Sequence, residues 1–143
     1  MRLIAVLLIL AFGLVAYVRL APTRPSKWHK HPAVTGPGDI TQEGSFLCTR
    51  RINGAPQEVF VAVEACIAAT PRTKLIKGSI DDRLMTFETR SLVVGFPDYT
   101  TVAITDDLLI IYGRLRFGRK DLGVNRTRIA GWLETLGPLT TPL

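Results

Sequence analysis

The chain is poor in the residues from which active sites are most often built. It has two histidines and two cysteines in 143 residues. His29 and His31 form an H-x-H pair, but a zinc site needs three or four ligands and nothing in the sequence points to the others. Cys48 and Cys66 have neither C-x-x-C spacing nor histidine partners, so no structural metal is implied. They read as inward-facing residues of a strand and of the helix after it and could meet in a disulfide. The preferred reading is two free thiols acting as small apolar side chains. There is no phosphate-cradling glycine loop, nucleophile elbow or triad order, and Ser91 has no evident histidine partner. No metal and no cofactor are expected, and enzymatic activity is disfavoured.

Acidic residues are also few, twelve against eighteen Lys and Arg, a net charge of +6. That excess favours anionic lipid, nucleic acid or acidic proteins without selecting among them. No recognisable nucleic-acid reading element accompanies it, so nucleic acid is discounted.

Leu3 to Val18 contains no charge at all. Small residues in an A-x-A-like arrangement, which signal peptidase requires, are missing from the zone of Tyr17, Val18, Arg19 and Leu20. The segment therefore reads as a retained membrane anchor, residues 1–21, rather than a cleaved signal peptide. Sixteen residues cover about 24 Å, slightly short of a ~30 Å hydrocarbon layer, and Leu20 and Ala21 extend the span if Arg19 snorkels. Arg19, Arg24, Lys27 and Lys30 outnumber the charges before the segment and favour a cytoplasmic domain, whereas the signal-like start favours the other side. Both orientations stay open in this single-pass arrangement at the cell membrane.

Residues 22–44 are expected to form a stalk. Pro22, Pro25 and Pro32 stiffen it, Trp28 suits a lipid headgroup layer or a docking contact, and Thr35 to Gly44 reads as linker. Residues 45–143 then make one domain. Phe46 to Ile52 alternates as a strand and stops at Asn53-Gly54. Pro56 opens a helix with apolar positions at Val59, Phe60, Val63, Cys66 and Ile67, closed by Pro71. Strand signals follow at Thr73 to Ile80, Leu84 to Val94, Tyr99 to Thr105 and Leu108 to Phe117. Asn125 is placed to cap a last helix, with Val124 and Ile129 as a staple, Ile129, Trp132, Leu133 and Leu136 as its apolar stripe, and Gly137-Pro138 as its stop. The order β-α-β-β-β-β-α predicts an α+β fold, an antiparallel sheet with two amphipathic helices on one face, preceded by a transmembrane helix. It is similar in outline to a shortened helix-grip fold, the architecture of START-like lipid-binding proteins.

Arg90-Ser91 through Gly95-Phe96-Pro97-Asp98-Tyr99, and Arg114-Leu115-Arg116 through Gly118, Asp121 and Gly123-Val124-Asn125-Arg126, form two long motifs. With Trp28-His29 and Pro32 upstream they closely resemble the bacterial and plastid family known as domain of unknown function 1499. That resemblance covers most of the chain beyond the anchor and implies a domain with no established activity. The family pattern carries serine where this chain has Gly113, and an acidic residue where it has His31.

Arg90, Asp98, Arg114, Arg116, Asp121, Asn125 and Arg126 lie near strand ends or turns and could converge on one edge of the sheet, Arg114 and Arg116 sharing a face by the two-residue repeat. Three readings of them stand side by side. Asp98 and Asp121 accept hydrogen bonds that pin turns; or Arg90, Arg114, Arg116, Asn125 and Arg126 bind an anion; or Asp98 or Asp121 acts as the general base of a small hydrolase or isomerase. The favoured function is a non-enzymatic binding or accessory module near the membrane. Its expected partners are an anionic or amphiphilic lipid, a small anion or a membrane-protein complex.

Overall fold

The computed structural model describes residues 1–34, 36 and 38–143. Thr35, the first residue of the expected linker, and Pro37 lie outside the described residues. The apolar segment is one helix, α1 (Arg2–Leu20), followed by a single turn, α2 (Pro25–Trp28). The domain runs β1 (Asp39–Gln42), β2 (Ser45–Ile52), α3 (Pro56–Ala68), β3 (Thr73–Ser79), β4 (Leu84–Arg90), β5 (Pro97–Thr105), β6 (Leu108–Leu115) and α4 (Val124–Leu136). A 3₁₀ turn (Gly137–Leu139) leads into β7 (Thr140–Pro142). The fold is α+β: an antiparallel sheet in the order β1-β2-β6-β5-β4-β3, with β7 also pairing β2.

Register explains the two faces. Phe46 pairs Gly113, which pairs Thr100, which pairs Phe87; one step on, Cys48, Ile111, Val102 and Met85 make the parallel row. These rows meet Val59, Phe60, Val63 and Ile67 of α3 and Ile129, Trp132 and Leu136 of α4 in one buried cluster. Both helices therefore cover one face, and burying each large side chain contributes about 1.5–3 kcal/mol. Cys48 and Cys66 are both free thiols, and burial pushes the Cys48 thiol up to about 12. Gly113 belongs to the same interface. A Cβ there would stand 2.8 Å from Asn125 Oδ1, so the glycine lets α4 close on β6.

The other face carries the complementary rows. Glu88, Tyr99 and Arg114 stand side by side across β4, β5 and β6, with Thr86, Thr101 and Tyr112 beside them. Apart from Leu84, Ala103 and Ile110 at the far end and Leu47 and Ile40 on the β2–β1 side this face is polar, and it is covered by the chain's own residues 18–31.

That cover replaces the expected free stalk. Backbone carbonyls of residues 21, 22 and 28 are taken by Arg114 and Arg116, so the proline-rich segment lies on the sheet as a strap. Part of the expected linker is β1, closed onto β2 by a tight turn at Gly44 (φ 72°); a strand of four residues is too short to show a period. β4 ends at Arg90 rather than at Val94, because the Ser91 hydroxyl accepts the Gly95 and Phe96 amides and folds 91–96 into a loop. α4 starts at Val124 with the Asp121 carboxylate accepting the amides of Gly123 and Asn125. Asn125 is thus not the cap: it lies inside the helix and is buried.

Candidate functional site

The strap is held by a polar network built on Glu88. This carboxylate is fully buried. It accepts hydrogen bonds from Thr23 Oγ1 (2.7 Å), Arg90 Nε (2.8 Å) and Tyr99 OH (3.3 Å), with Lys74 Nζ 3.4 Å away. Burial alone would raise its pKa. The hydrogen bonds from Thr23 and Arg90 and the charges of Arg90 and Lys74 outweigh burial and hold the carboxyl below its ordinary range. Thr23 also bonds the Tyr99 hydroxyl, at 2.9 Å.

Of the two roles open to Trp28 from sequence, headgroup layer or docking contact, the structure shows a contact: its ring stacks on Tyr99 with centroids 4.3 Å apart. The Trp28 carbonyl accepts from Arg114 Nη2 (2.8 Å) and from Thr101 (3.0 Å), and the Arg114 guanidinium lies over both the Trp28 and Tyr112 rings. Arg116 donates to the carbonyls of Ala21 and Pro22 and to the Tyr99 hydroxyl. His29 Nδ1 meets Thr86 Oγ1 at 3.0 Å, lying against Gly78, where a side chain would strike its ring. Among the described residues no group of three or more His, Cys, Asp or Glu is placed to hold a metal ion.

The sequence-predicted residues therefore fall into separate places. Arg114 and Arg116 sit on the strap face with their forks on backbone carbonyls. Asn125 faces the other way, against Gly113 and Arg128, and its Nδ2 is buried without a partner. Arg126 is exposed, its guanidinium 5.9 Å from the Phe46 ring centroid.

Arg90, Asp98 and Asp121 do come together. They line a cleft of about 560 Å³ at the mouth between sheet and helices, where β4, β6 and α3 end and β5 and α4 begin. Its apolar wall includes Phe96, Leu115, Phe117, Leu122 and Val124, and its basic side chains are Arg72, Arg90, Lys120 and Arg128. Asp98 pairs with Arg128 at 3.4 Å; burial nonetheless raises its pKa, with Arg128 opposing and Asp121 adding to the rise. Asp121 is the opposite case, for its backbone hydrogen bonds outweigh the effect of burial and hold it low. Asp121 is thus occupied as the cap of α4, while Asp98 is the buried, less acidic carboxyl of the cleft.

A second hollow, about 680 Å³, lies across Arg90 from the first, lined by Arg19, Arg72, Lys74 and Glu88 among others. Arg19 joins the hollow to the helix. Its guanidinium donates to the carbonyls of Val93 and Val94, and it is the last basic residue of α1. Sequence reasoning missed Arg19, Arg72, Lys120 and Arg128 as parts of one surface. Pro71-Arg72 and Arg128, four residues after Val124 on α4, gave the only local signals.

α1 is long and apolar enough to cross a membrane, by length and composition alone, a test that signal sequences also pass. The comparison with curated proteins finds no match. The family model described as protein of unknown function (DUF1499) matches residues 18–136, a span that begins on the last turn of α1, takes in strap, sheet and cleft, and ends with α4; the chain belongs to this family.

Proposed function

We propose that the protein is a membrane-tethered, non-enzymatic module that binds an anionic amphiphile, a negatively charged head on an acyl chain, in the cleft between sheet and helices. The observation that carries this reading is the composition of the cleft: an apolar wall of Phe96, Leu115, Phe117, Leu122 and Val124 beside Arg72, Arg90, Lys120 and Arg128. Small-molecule sites have this character, mostly apolar with a few placed charges. An acyl chain suits the wall. A phosphate or carboxylate suits the guanidiniums, which bind such groups through a planar fork.

The position of the cleft adds support. It opens on the loop 91–96 to which α1 is bonded through Arg19. With α1 in a bilayer as a single span, a lipid would reach the cleft without crossing water.

Native mass spectrometry of the full chain in mild detergent tests the reading. A retained phospholipid or fatty acid is expected, the mass distinguishing the two. Retention should fall in the Arg72→Ala/Lys120→Ala double variant, whose side chains are exposed. A ligand-free protein, or retention unchanged by the double variant, would overturn the proposal.

A further inference from the structure

Beyond residues 1–20, the three most exposed large apolar side chains among the described residues are Leu122 (91 %), Val93 (80 %) and Leu92 (73 %). All three lie at one end of the domain, in the loops 91–96 and 117–123. Val124 and Phe96 stand beside them, also exposed. A monomeric domain scatters such residues singly; their concentration at one end marks an interaction surface.

Three further observations identify what the surface meets. First, the last turn of α1 is fused to it. Val18 is buried, the Tyr17 ring packs edge-on to Phe117 at 6.2 Å, and Arg19 holds the carbonyls of Val93 and Val94. Any bilayer crossed by α1 ends at residues 17–20, so these loops lie level with its headgroups.

Second, much of the backbone of the 91–96 loop, the amides of residues 91, 95 and 96 and the carbonyls of residues 93 to 96, is satisfied by the protein itself. The Ser91 amide donates to the Phe96 carbonyl, the Ser91 hydroxyl takes the Gly95 and Phe96 amides, Arg90 takes the Gly95 carbonyl, and Arg19 takes those of Val93 and Val94. Each such pairing lowers the cost of bringing a loop into the hydrated headgroup layer, where the remaining amides of Leu92, Val93 and Val94 still meet water or lipid oxygens. Leu122 is also held in the left-handed region, φ 52°, a costly conformation for a leucine whose side chain then contacts little of its own protein.

Third, the domain is electrically polar. Arg72, Arg119 and Lys120 are exposed at this end, with Glu43 3.8 Å from Arg119, whereas the turns at the opposite end of the sheet carry four carboxylates, Asp81, Asp82, Asp106 and Asp107, against Arg51 and Arg83.

We infer that the loops 91–96 and 117–123 are a second membrane contact: Leu92, Val93 and Leu122 insert into the interfacial layer of an anionic bilayer while Arg72, Arg119 and Lys120 meet its phosphates. The occupant is the bilayer that holds α1, because the surface is continuous with that helix. Apolar side chains at such a boundary sit about 5–10 Å into the headgroup region, and nearby basic residues add attraction to anionic lipid. The inference rests on α1 as a membrane helix and is independent of whether the cleft holds a ligand.

The test uses the full chain with Cys66→Ala, so that an introduced cysteine is the one reactive thiol, Cys48 being buried with its thiol pushed up to about 12. Single cysteines replace Leu92, Leu122, Asp82 or Asp107 and carry an environment-sensitive fluorophore. The protein is reconstituted in phosphatidylcholine–phosphatidylglycerol vesicles containing lipid-attached quenchers. Labels at 92 and 122 should be quenched several-fold more than labels at 82 and 107. The difference should shrink when phosphatidylglycerol is left out. Equal quenching at both ends of the sheet overturns the inference, whether the loops prove open to water or covered by protein. Quenching indifferent to phosphatidylglycerol overturns its anionic part.

Discussion

Replacing Glu88 by Gln tests whether the strap is held by one buried charge. The substitution keeps the shape of the side chain and removes the anion on which Thr23, Arg90 and Tyr99 converge, with Lys74 close by. Two of those bonds, at 2.7 and 2.8 Å, have charge-assisted lengths. A hydrogen bond to a charged group is worth about 1.5–3 kcal/mol net, and breaking a buried ion pair about 3–5 kcal/mol. The amide of Gln retains one acceptor, and Lys74 and Arg90 can turn to water, so the expected loss is roughly 2–4 kcal/mol. For a domain of this size that lowers Tm by on the order of 10 °C. Thr23→Val removes the strap's half of the same bond and should cost about 1–2 kcal/mol. Because the two residues touch, the double variant should lose less than the sum, with a coupling of about 1 kcal/mol. Hydrogen exchange at residues 21–30 supplies the local readout: protection should fall first in the strap and last in β5. Additive losses, or a destabilised core with the strap as protected as before, would refute the reasoning.

Other changes probe the opposite face and the pH response. Gly113→Ala should cost about 1–3 kcal/mol by overpacking against Asn125, and Asn125→Ala in the same chain should restore part of that Tm loss. Asp121→Ala removes the carboxylate that caps α4 and should cost about 0.5–2 kcal/mol, read as lower helicity and a lower denaturation midpoint. Glu88 and Asp121 have folded pKa values below their unfolded ones, so their stabilisation is full above about pH 4.5 and is lost as pH falls through the folded values. Asp98 has the opposite sign. Its folded pKa is raised, so its contribution is present below about pH 4 and lost as pH rises through the folded value. Tm against pH should therefore fall less steeply in acid for Glu88→Gln than for the unaltered chain, and Asp98→Asn should hold or raise Tm at neutral pH.

The helix face of the domain was legible in the sequence because its signals are local. Val59, Phe60, Val63 and Ile67 recur at helical spacing, as do Ile129, Trp132 and Leu136, and each sits in the core. The strands β2 to β6 follow from alternation and from aspartate turns. What was not legible depends on partners far away in the chain. Arg114 and Arg116 look like a paired anion site until the carbonyls of Trp28, Ala21 and Pro22, 86 to 95 residues earlier, are laid beside them. Nothing within a few residues of Pro22 or Trp28 says that they lie on a sheet. Asn125 has the chemistry of a cap, and only the two amides that turn toward Asp121 show that the cap stands four residues earlier. Arg90, Asp98 and Asp121 were grouped from sequence and share the cleft; the apolar wall was hidden because its members come from a loop, a strand end and a helix start.

The strap also bears on the order in which the chain is made. Residues 21–31 leave the ribosome before any strand exists, and the groups that receive them come last: Glu88 is 65 residues after Thr23, Tyr99 76, and Arg116 95 after Ala21. β6 pairs with both β2 and β5 and is followed at once by Arg116, so a single late strand joins the sheet and completes the receiver for the strap. Contacts of such long sequence separation close slowly. With α1 already lodged in a bilayer, the waiting strap would be confined to the lipid surface, and the domain would finish folding there, around its own first-made segment.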